Sequence, residues 1–301
     1  MTLQQLRQVL TIAESNSMNE AAKKLFVSQP NLSATVREVE EELGITVFMR
    51  NNRGITVTAE GEEFLGYAKQ VVEQYHLLEN RYLNVESKKK FSVSMQHYSF
   101  AVKAFVQLAK EVGMDEYEFA VRETKTYEVI EDVKEFRSEI GVLYLSDFNE
   151  KVLRKLFKEC DIEFKELFTC NTYVYLWKKH PLAGQKEITL DDLQEYPCLT
   201  FEQGVNNSFY YAEEMMSTYE YKRVIKADDR ATMLNLMVGL NGFTLCSGII
   251  SEDLNGDDYA AIPLKESEKM HIGYIKHKGT KLSKLGEIYI DALKNYENKV
   301  L

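Results

Sequence analysis

Residues 21–61 read AAKKLFVSQPNLSATVREVEEELGITVFMRNNRGITVTAEG and decide the fold of the first part of the chain. Just before them, Ser17 and Glu20 have the spacing of a capping box, so a helix is predicted to begin there. A further helix starts at Ser28 and Gln29, where Pro30 fits because first-turn amides have no intrahelical partner. Another helix is predicted from Thr2 to Glu14, with an apolar face formed by Leu3, Leu6, Val9, Leu10 and Ala13.

The helix that begins at Ser28 has two different faces. One is an apolar stripe at spacings of four, three and four residues, which predicts burial of Leu32, Val36, Val39 and Leu43. The other face is mainly polar, and such side chains can hydrogen-bond base edges in a major groove, while a helix N-terminus favours phosphate. We therefore predict DNA contacts from Gln29, Pro30, Asn31, Ser33, Ala34 and Arg37.

A basic hairpin is predicted to follow this helix, which ends at Gly44. Two short strands, Ile45–Met49 and Ile55–Thr58, flank the turn Arg50-Asn51-Asn52-Arg53-Gly54. Guanidiniums can bind phosphate in a bidentate manner, so Arg50 and Arg53 join the predicted DNA-binding residues. Helices followed by a basic hairpin predict a winged helix-turn-helix domain over residues 1–58.

The order and spacing of these motifs resemble a known family. The SQP-x-LS run at Ser28–Ser33 and the T-x-x-G pair at Thr58 and Gly61 are similar to the N-terminal domain of LysR-type transcriptional regulators, over residues 1 to about 65. The resemblance implies a cytoplasmic regulator that binds double-stranded DNA and responds to a small-molecule effector. It also implies a two-lobed, periplasmic-binding-protein-like effector domain, and a homodimer or homotetramer.

Net charge does not by itself indicate a nucleic-acid partner. The chain carries a formal charge of −10, and residues 1–60 hold six cations and seven anions. Glu38, Glu40, Glu41 and Glu42 cluster late in the third helix, away from the cations. With few cations in each protomer, phosphate affinity should be modest and salt dependent, so more than one copy is expected to bind DNA together.

A long helix with one apolar seam is predicted after the hairpin, within a linker that spans residues 59–90. Alternating intervals of four and three residues are typical of a heptad seam, and at ~1.5 Å per residue the helix would extend about 45 Å. An amphipathic helix packed on its own domain is the alternative. In the family this helix pairs with its counterpart, so the predicted dimerisation residues are Phe64, Ala68, Val71, Tyr75, Leu78, Tyr82 and Val85.

Beyond a polar hinge at residues 87–90, predicted strands alternate with helices, which indicates an α/β effector domain over residues 91–301. The first lobe is expected at about 91–161 and 266–301, and the second at about 162–265. Helices are expected near residues 99 onward, 129–136, 207–217, 230–240 and 281–299. Strands are expected at residues 91–96, 118–121, 140–145, 163–168, 172–177, 198–201, 224–227, 243–246 and 270–276.

Ligands in open α/β sheets sit beyond the carboxyl ends of strands, where helix N-termini present free amides. Polar side chains follow several predicted strands, and the family's effector pocket lies between the lobes at such positions. Ser99, Thr124 and Gln203 are the preferred contacts, and Glu202 argues against a simple anionic effector. The predicted effector-binding residues are Gln96, His97, Tyr98, Ser99, Thr124, Thr126, Glu202, Gln203 and Ser247.

Other chemistry has little support in the sequence. Cys160, Cys170, Cys198 and Cys246 lack metal-ligand spacing, and thiol sensing stays open as an alternative to cysteines without a role. Histidine pairs, phosphate loops and nucleophile elbows are missing, so we expect no metal, no cofactor and no enzyme activity. The early helix-turn-helix leaves no room for a signal peptide, and apolar runs are too short for a membrane span. The alternative function is a solute-binding module whose N-terminal domain serves oligomerisation or protein contact.

Overall fold

The chain divides into two compact units, Met1–Ser87 and Lys88–Leu301, in a computed structural model. The structure describes residues 1–15, 17–51, 54–82, 88–113 and 116–296, with the backbone alone for residues 50, 51, 54 and 80–82. The linker helix therefore belongs to the first unit. Within the described residues, no helix is both long and apolar enough to cross a membrane.

Side-chain caps start the helices of the first unit. The hydroxyls of Thr2, Ser17 and Ser28 accept hydrogen bonds from amides three residues on, which satisfies donors that a first helical turn leaves unpaired. Gly44, at φ 69°, ends the third helix in the left-handed conformation that glycine adopts at little cost. The elements are α1 (Leu3–Ala13), α2 (Met18–Lys24), α3 (Gln29–Leu43), β1 (Phe48–Asn51), β2 (Gly54–Val57) and α4 (Ala59–Tyr82).

The core of this unit lies among α1, α2, α3 and the hairpin. Leu32, Val36 and Val39 are buried as the stripe predicts, and Ile12 joins them. The expectation for Leu43 is wrong, because this last residue of α3 is 38% exposed. The strands are also shifted from their predicted positions, since β1 runs from Phe48 to Asn51 and β2 from Gly54 to Val57.

The T-x-x-G motif anchors the start of α4. The Thr58 hydroxyl accepts from the Gly61 amide at 2.9 Å and donates to the Thr46 carbonyl. Any side chain at position 61 would bring its Cβ to 2.3 Å from the Val47 carbonyl oxygen. Only glycine allows α4 to approach the hairpin this closely.

A five-stranded sheet forms the first lobe of the second unit, in the order β4-β3-β5-β12-β6. β3, β4 and β5 are parallel, whereas β12 is antiparallel to both β5 and β6. Its elements are β3 (Lys89–Met95), α5 (Ser99–Val112), β4 (Tyr117–Glu123), α6 (Thr126–Lys134), β5 (Ile140–Leu145), α7 (Glu150–Glu159) and β6 (Ile162–Asn171), with β12 (Lys269–His277) and α10 (Lys284–Lys294).

The second lobe contains two smaller sheets, one in the order β10-β7-β11 and one pairing β8 with β9. A bridge between Cys198 and Phe243 links the two sheets. Short 3-10 turns occur at Asp192–Glu195 and Phe209–Tyr211. The other elements are β7 (Tyr173–Trp177), β8 (Cys198–Phe201), β9 (Val224–Ala227), α8 (Arg230–Leu240), β10 (Thr244–Cys246), α9 (Glu252–Asn255) and β11 (Tyr259–Pro263).

Several expectations for the second unit need correction. The strand near 163–168 does not open the second lobe, because β6 pairs with β12 in the first sheet, so the second lobe begins near residue 172. The helix predicted at 207–217 is wrong, since residues 209–211 form a short 3-10 turn and residues 215–217 a further turn, with no longer helix between them. The last helix is shorter than predicted, and residues 297–299 lie outside the described residues. Lys89 and Lys90, predicted as hinge, belong to β3, and β11 had not been predicted.

Candidate functional site

The outward face of α3 carries the side chains predicted to contact DNA. Pro30, Asn31, Ala34 and Arg37 are exposed, and Gln29 and Ser33 are half-buried. The Gln29 amide donates to the Ser33 hydroxyl at 2.8 Å, which holds both polar groups on the same side of the first turns. The side chain of Arg50 and all of Arg53 lie outside the described residues, so their roles stay predictions.

The glutamates late in α3 contact other parts of their own unit. The Glu40 carboxylate accepts from the amides of Val47 and Phe48, at 2.7 and 3.0 Å, and so holds the start of the hairpin. Glu38 accepts from the Gln5 side chain at 2.9 Å. These carboxylates therefore bind protein donors, which reduces their conflict with a nearby phosphate backbone.

The predicted seam on α4 divides into a buried part and an exposed part. Ala68 is buried with Val72 against Leu6 of α1, and Phe64 packs on the same cluster. Val71 and Leu78 are 51% and 56% exposed, and Tyr67 and Tyr75 are exposed beside them. Phe64 and Ala68 thus stabilise their own unit, and the apolar face that remains available begins at Tyr67. Tyr82 is described by its backbone alone, and Val85 lies outside the described part of the chain. The roles of these two side chains in the seam therefore stay predictions.

Glu213 connects the two lobes of the second unit. One carboxylate oxygen accepts from the His97 amide at 2.8 Å and lies 2.9 Å from the His97 Nδ1. The other accepts from the Gln203 side-chain amide at 3.0 Å. The His97 ring also stacks on Phe201, with centroids 3.8 Å apart. Because His97 follows β3 and Glu213 belongs to the second lobe, this carboxylate joins the lobes directly.

A second connection runs through buried amides. The Gln203 side-chain oxygen accepts from the Thr126 amide at 3.1 Å. Gln96 donates to the Thr126 hydroxyl at 2.6 Å and accepts from the Tyr98 hydroxyl at 2.9 Å. Gln96, Thr126 and Gln203 therefore use their polar groups on one another at the junction of the lobes.

A third connection is the ion pair between Glu123, at the end of β4, and Arg230, at the start of α8. Burial, partly offset by Arg230, raises the pKa of Glu123 above its usual value. Thr124, next to Glu123, donates a hydrogen bond to Glu128. In the second lobe, the Glu202 carboxylate accepts from the Gly204 amide at 3.0 Å and lies 3.6 Å from the Lys226 ammonium. In these contacts Thr124 and Glu202 bond to partners within their own lobes.

Next to these connections lies a cavity of about 710 Å³, counting its open mouth. Of the nine predicted effector residues, His97, Tyr98, Ser99 and Ser247 line it, and the other five do not. Sequence reasoning had not selected several of its other polar wall residues. These are Glu213, Glu214, Arg230 and Thr244.

Glu214 is the most perturbed acid of the cavity. It is 5% exposed and accepts from the Phe201 amide at 2.8 Å. Burial and the neighbouring Glu213 raise the pKa of Glu214 to about 8. Sequence analysis had predicted a helix over this segment and had not considered the acidic pair, whose one sequence signal is its position between Ala212 and Met215.

The four thiols have raised pKa values, whereas a reactive cysteine has a lowered one. All four cysteines are free. Burial raises the pKa of Cys170 and Cys246 to about 12, so the thiolate, which is the reactive form, is scarce at neutral pH. Within the described residues, no cluster of His, Cys, Asp and Glu could hold a metal ion.

Two family models match the chain. Residues 3–62 match the bacterial regulatory helix-turn-helix protein model of the LysR family, and residues 114–297 match the LysR substrate binding domain. The transcriptional regulator CysL of Bacillus subtilis is 26% identical over 309 residues, which cover 98% of each chain. The Bacillus subtilis regulator YkuM is 41% identical over 81 residues, covering 27% of this chain and 28% of its own.

Solved structures share the fold over almost the whole length. A full-length OxyR variant from Pseudomonas aeruginosa has a TM-score of 0.68 at 18% identity and covers 98% of this chain and 95% of its own. CbnR, a LysR family transcriptional regulator, has a TM-score of 0.59 at 18% identity and covers 98% and 99%. At this identity the likeness concerns the fold.

Proposed function

The chain belongs to the LysR family of DNA-binding transcriptional regulators, and we propose that α3 reads the operator while the cavity between the lobes binds the effector. The observation that carries the DNA-reading part is the outward face of α3. It presents Gln29, Asn31, Ser33 and Arg37 together, and within the described residues Arg37 has no ion pair. Family membership favours this function over a solute-binding module. Binding to DNA places its action in the cytoplasm.

The DNA contacts divide into two groups in this proposal. Gln29, Asn31, Ser33 and Arg37 meet base edges or nearby phosphates, with Pro30 and Ala34 in apolar contact with the groove. Arg50 and Arg53 of the hairpin bind phosphate. Phosphate contacts fix orientation without sequence information, so a change at Gln29 should alter which sequences bind, whereas a change at Arg53 should weaken all duplexes together.

LysR regulators act as oligomers, and we propose pairing of α4 with α4 of a second copy. Tyr67, Val71, Tyr75 and Leu78 form an apolar face that is exposed in a single chain. Pairing would remove this face from water and bring two copies of α3 to one operator. A homodimer is the minimum, and two dimers would form the homotetramer.

In the effector domain, we propose that His97, Tyr98, Ser99 and Ser247 contact the ligand from the cavity wall. Gln96, Thr126 and Gln203 position the lobes through their mutual hydrogen bonds. Thr124 and Glu202 act at the rim of the junction between the lobes. The two lobes can be arranged in more than one way, and a ligand that contacts both lobes can then change how much of each arrangement is populated.

An unbiased selection from random duplexes tests the DNA-reading part. The full chain should enrich one sequence pattern, and Gln29→Ala should relax that pattern while total affinity changes less. Gln4→Ala, exposed on α1, is the matched control and should leave the pattern intact. Enrichment of no pattern by the unmodified chain would refute the proposal, and an unaltered pattern with Gln29→Ala would remove this residue from base reading.

A further inference from the structure

The basic side chains at the cavity already have acidic partners. Arg230 is bonded to Glu123, and the His97 ring faces Glu213. Within the described residues, Arg230 is the only Lys or Arg that lines the cavity. A carboxylate ligand would therefore have to break a partly buried ion pair before it found a cation, and separating such a pair leaves an uncompensated charge behind.

The two acids at the cavity differ in how far they are satisfied. Both oxygens of Glu213 are used by His97 and Gln203. Glu214 accepts from the Phe201 amide, and within the described residues no Lys, Arg or His lies within ion-pair distance of it. Glu214 is therefore the acid with capacity to receive a further donor.

The protonation of Glu214 supports this capacity. Burial and the neighbouring Glu213 raise its pKa to about 8, which keeps it largely protonated at neutral pH. A ligand ammonium would supply a compensating positive charge. The titratable or charged groups that face Glu214 or share its cavity are Glu213, Tyr98, Tyr144, Tyr175, Cys198, Tyr221, His97, Arg230 and Cys246.

A second, independent observation also points to a ligand. Thr244 lines the same cavity and is 6% exposed, yet its hydroxyl has no hydrogen-bond partner within the described residues. Buried hydroxyls are usually paired, so this group is available to a ligand atom. The rest of the wall is mainly apolar and includes Phe100, Met233, Leu234 and Ile249.

We infer that the cavity takes a small ligand with an apolar body and a protonated amine, with Glu214 receiving the amine and Thr244 hydrogen-bonding a polar atom of the ligand. This inference rests on the proposed effector cavity. It names the chemical class of the effector and assigns two contacts that sequence reasoning did not select.

Calorimetry on the full chain tests it with benzylamine and hexylamine, each compared with its matched acid, benzoate or hexanoate. We expect the amines to bind at least tenfold more tightly than the acids. Binding should strengthen by up to about tenfold per unit between pH 6 and 8, because Glu214 must lose its proton to pair with the ammonium. Acids that bind as well as amines, or a panel of amines that does not bind, would overturn the inference.

Two variants locate the contact. Glu214→Gln should weaken amine binding at least tenfold and abolish its pH dependence, whereas Glu187→Gln, exposed on the second lobe and outside the cavity wall, should do neither. Glutamine resembles the protonated acid, so folding should be retained; circular dichroism checks it. Thr244→Val, which removes an unpaired hydroxyl, provides a second variant and should weaken binding several-fold for amines that also carry a hydroxyl, tested with 2-amino-1-phenylethanol. Unchanged affinities in both variants would refute the two contacts.

The outcomes separate this inference from the proposed function. A selected operator together with acid binding would leave the regulator function intact and remove the amine class. Amine binding that depends on Glu214, with no duplex enriched, would uphold the ligand class and remove the DNA-reading role of α3.

Discussion

Exchanging the side chains of Glu213 and Gln203 tests the connection between the lobes. The Gln203 amide has a fixed orientation, because its oxygen accepts from the Thr126 amide and its nitrogen must then face Glu213. Glu213 must in turn accept from His97 with its other oxygen. Position 213 therefore requires a side chain with two acceptor oxygens, one for His97 and one for Gln203. Glutamine has only one acceptor oxygen.

The magnitude follows from the donors left unpaired. Glu213→Gln places an NH₂ group against the NH₂ group of Gln203, and a buried donor without a partner costs ~1–3 kcal/mol. For a unit of this size, ~1 kcal/mol shifts Tm by roughly 2–4 °C, so a fall of about 4–8 °C is expected for a cost of ~2 kcal/mol. Gln203→Glu alone places two carboxylates together and should cost a similar amount. The double exchange restores a donor facing an acceptor and should recover at least half of the summed loss.

Urea denaturation of the full chain measures this coupling. Trp177, the single tryptophan of the sequence, lies in β7 of the second lobe, so its fluorescence reports on the effector domain. The interaction energy between the two sites should be ~1–3 kcal/mol. A double variant whose loss equals the sum of the two single losses would show that these residues do not act together, and the proposed connection would then be wrong.

Three further predictions concern other parts of the chain. Gly61→Ala should destabilise the first unit by ~1–3 kcal/mol, whereas Gly66→Ala, with open space around it, should stabilise α4 by about 0.5–1 kcal/mol in thermal melts followed by circular dichroism. The pKa of Glu214 is higher folded, about 8, than unfolded, 4.5, so its contribution to stability is complete below 4.5 and is lost as the pH rises towards 8. Tm by Trp fluorescence should therefore fall over this range, and Glu214→Gln should flatten that fall; equal slopes would contradict the assignment. Leu78→Glu should separate the subunits, as measured by light scattering. Leu77 is similarly exposed, at 58%, but is turned away from the seam, so Leu77→Glu should leave the mass unchanged. An unchanged mass with Leu78→Glu would exclude pairing through this face.

The first unit could be predicted closely because its signals are local. The hydroxyls of Thr2, Ser17 and Ser28 each cap the helix that follows by accepting from the amide three residues on, and Gly44 ends a helix through its own conformation. Each of these effects depends on a few neighbouring residues. Within α3 the predicted burial failed only where the helix ended, at Leu43, because periodicity does not say how far the core extends.

The second unit was harder to predict because its assembly depends on distant pairing. β6 has the pattern of a strand, but only its hydrogen bonds to β12, about a hundred residues later, place it in the first sheet. Residues 207–217 also resembled a helix. Glu213 and Glu214 instead bond to His97 and to the Phe201 amide, and these contacts from other elements replace a local helix. An acidic pair therefore lay inside the junction, where residue spacing alone would have exposed it to water.

The connections between the lobes also limit what an effector can do. His97–Glu213, Thr126–Gln203 and Glu123–Arg230 already join the lobes through the protein's own side chains. A ligand can shift an arrangement only by the difference between its affinities for the two arrangements, and these contacts favour one of them beforehand. An amine that ionises Glu214 would place a new negative charge beside Glu213 together with the positive charge that balances it. The signal would then be a rearrangement of the Glu213 connections, and the Glu213→Gln variant should respond less to the same ligand because one of those connections is already lost.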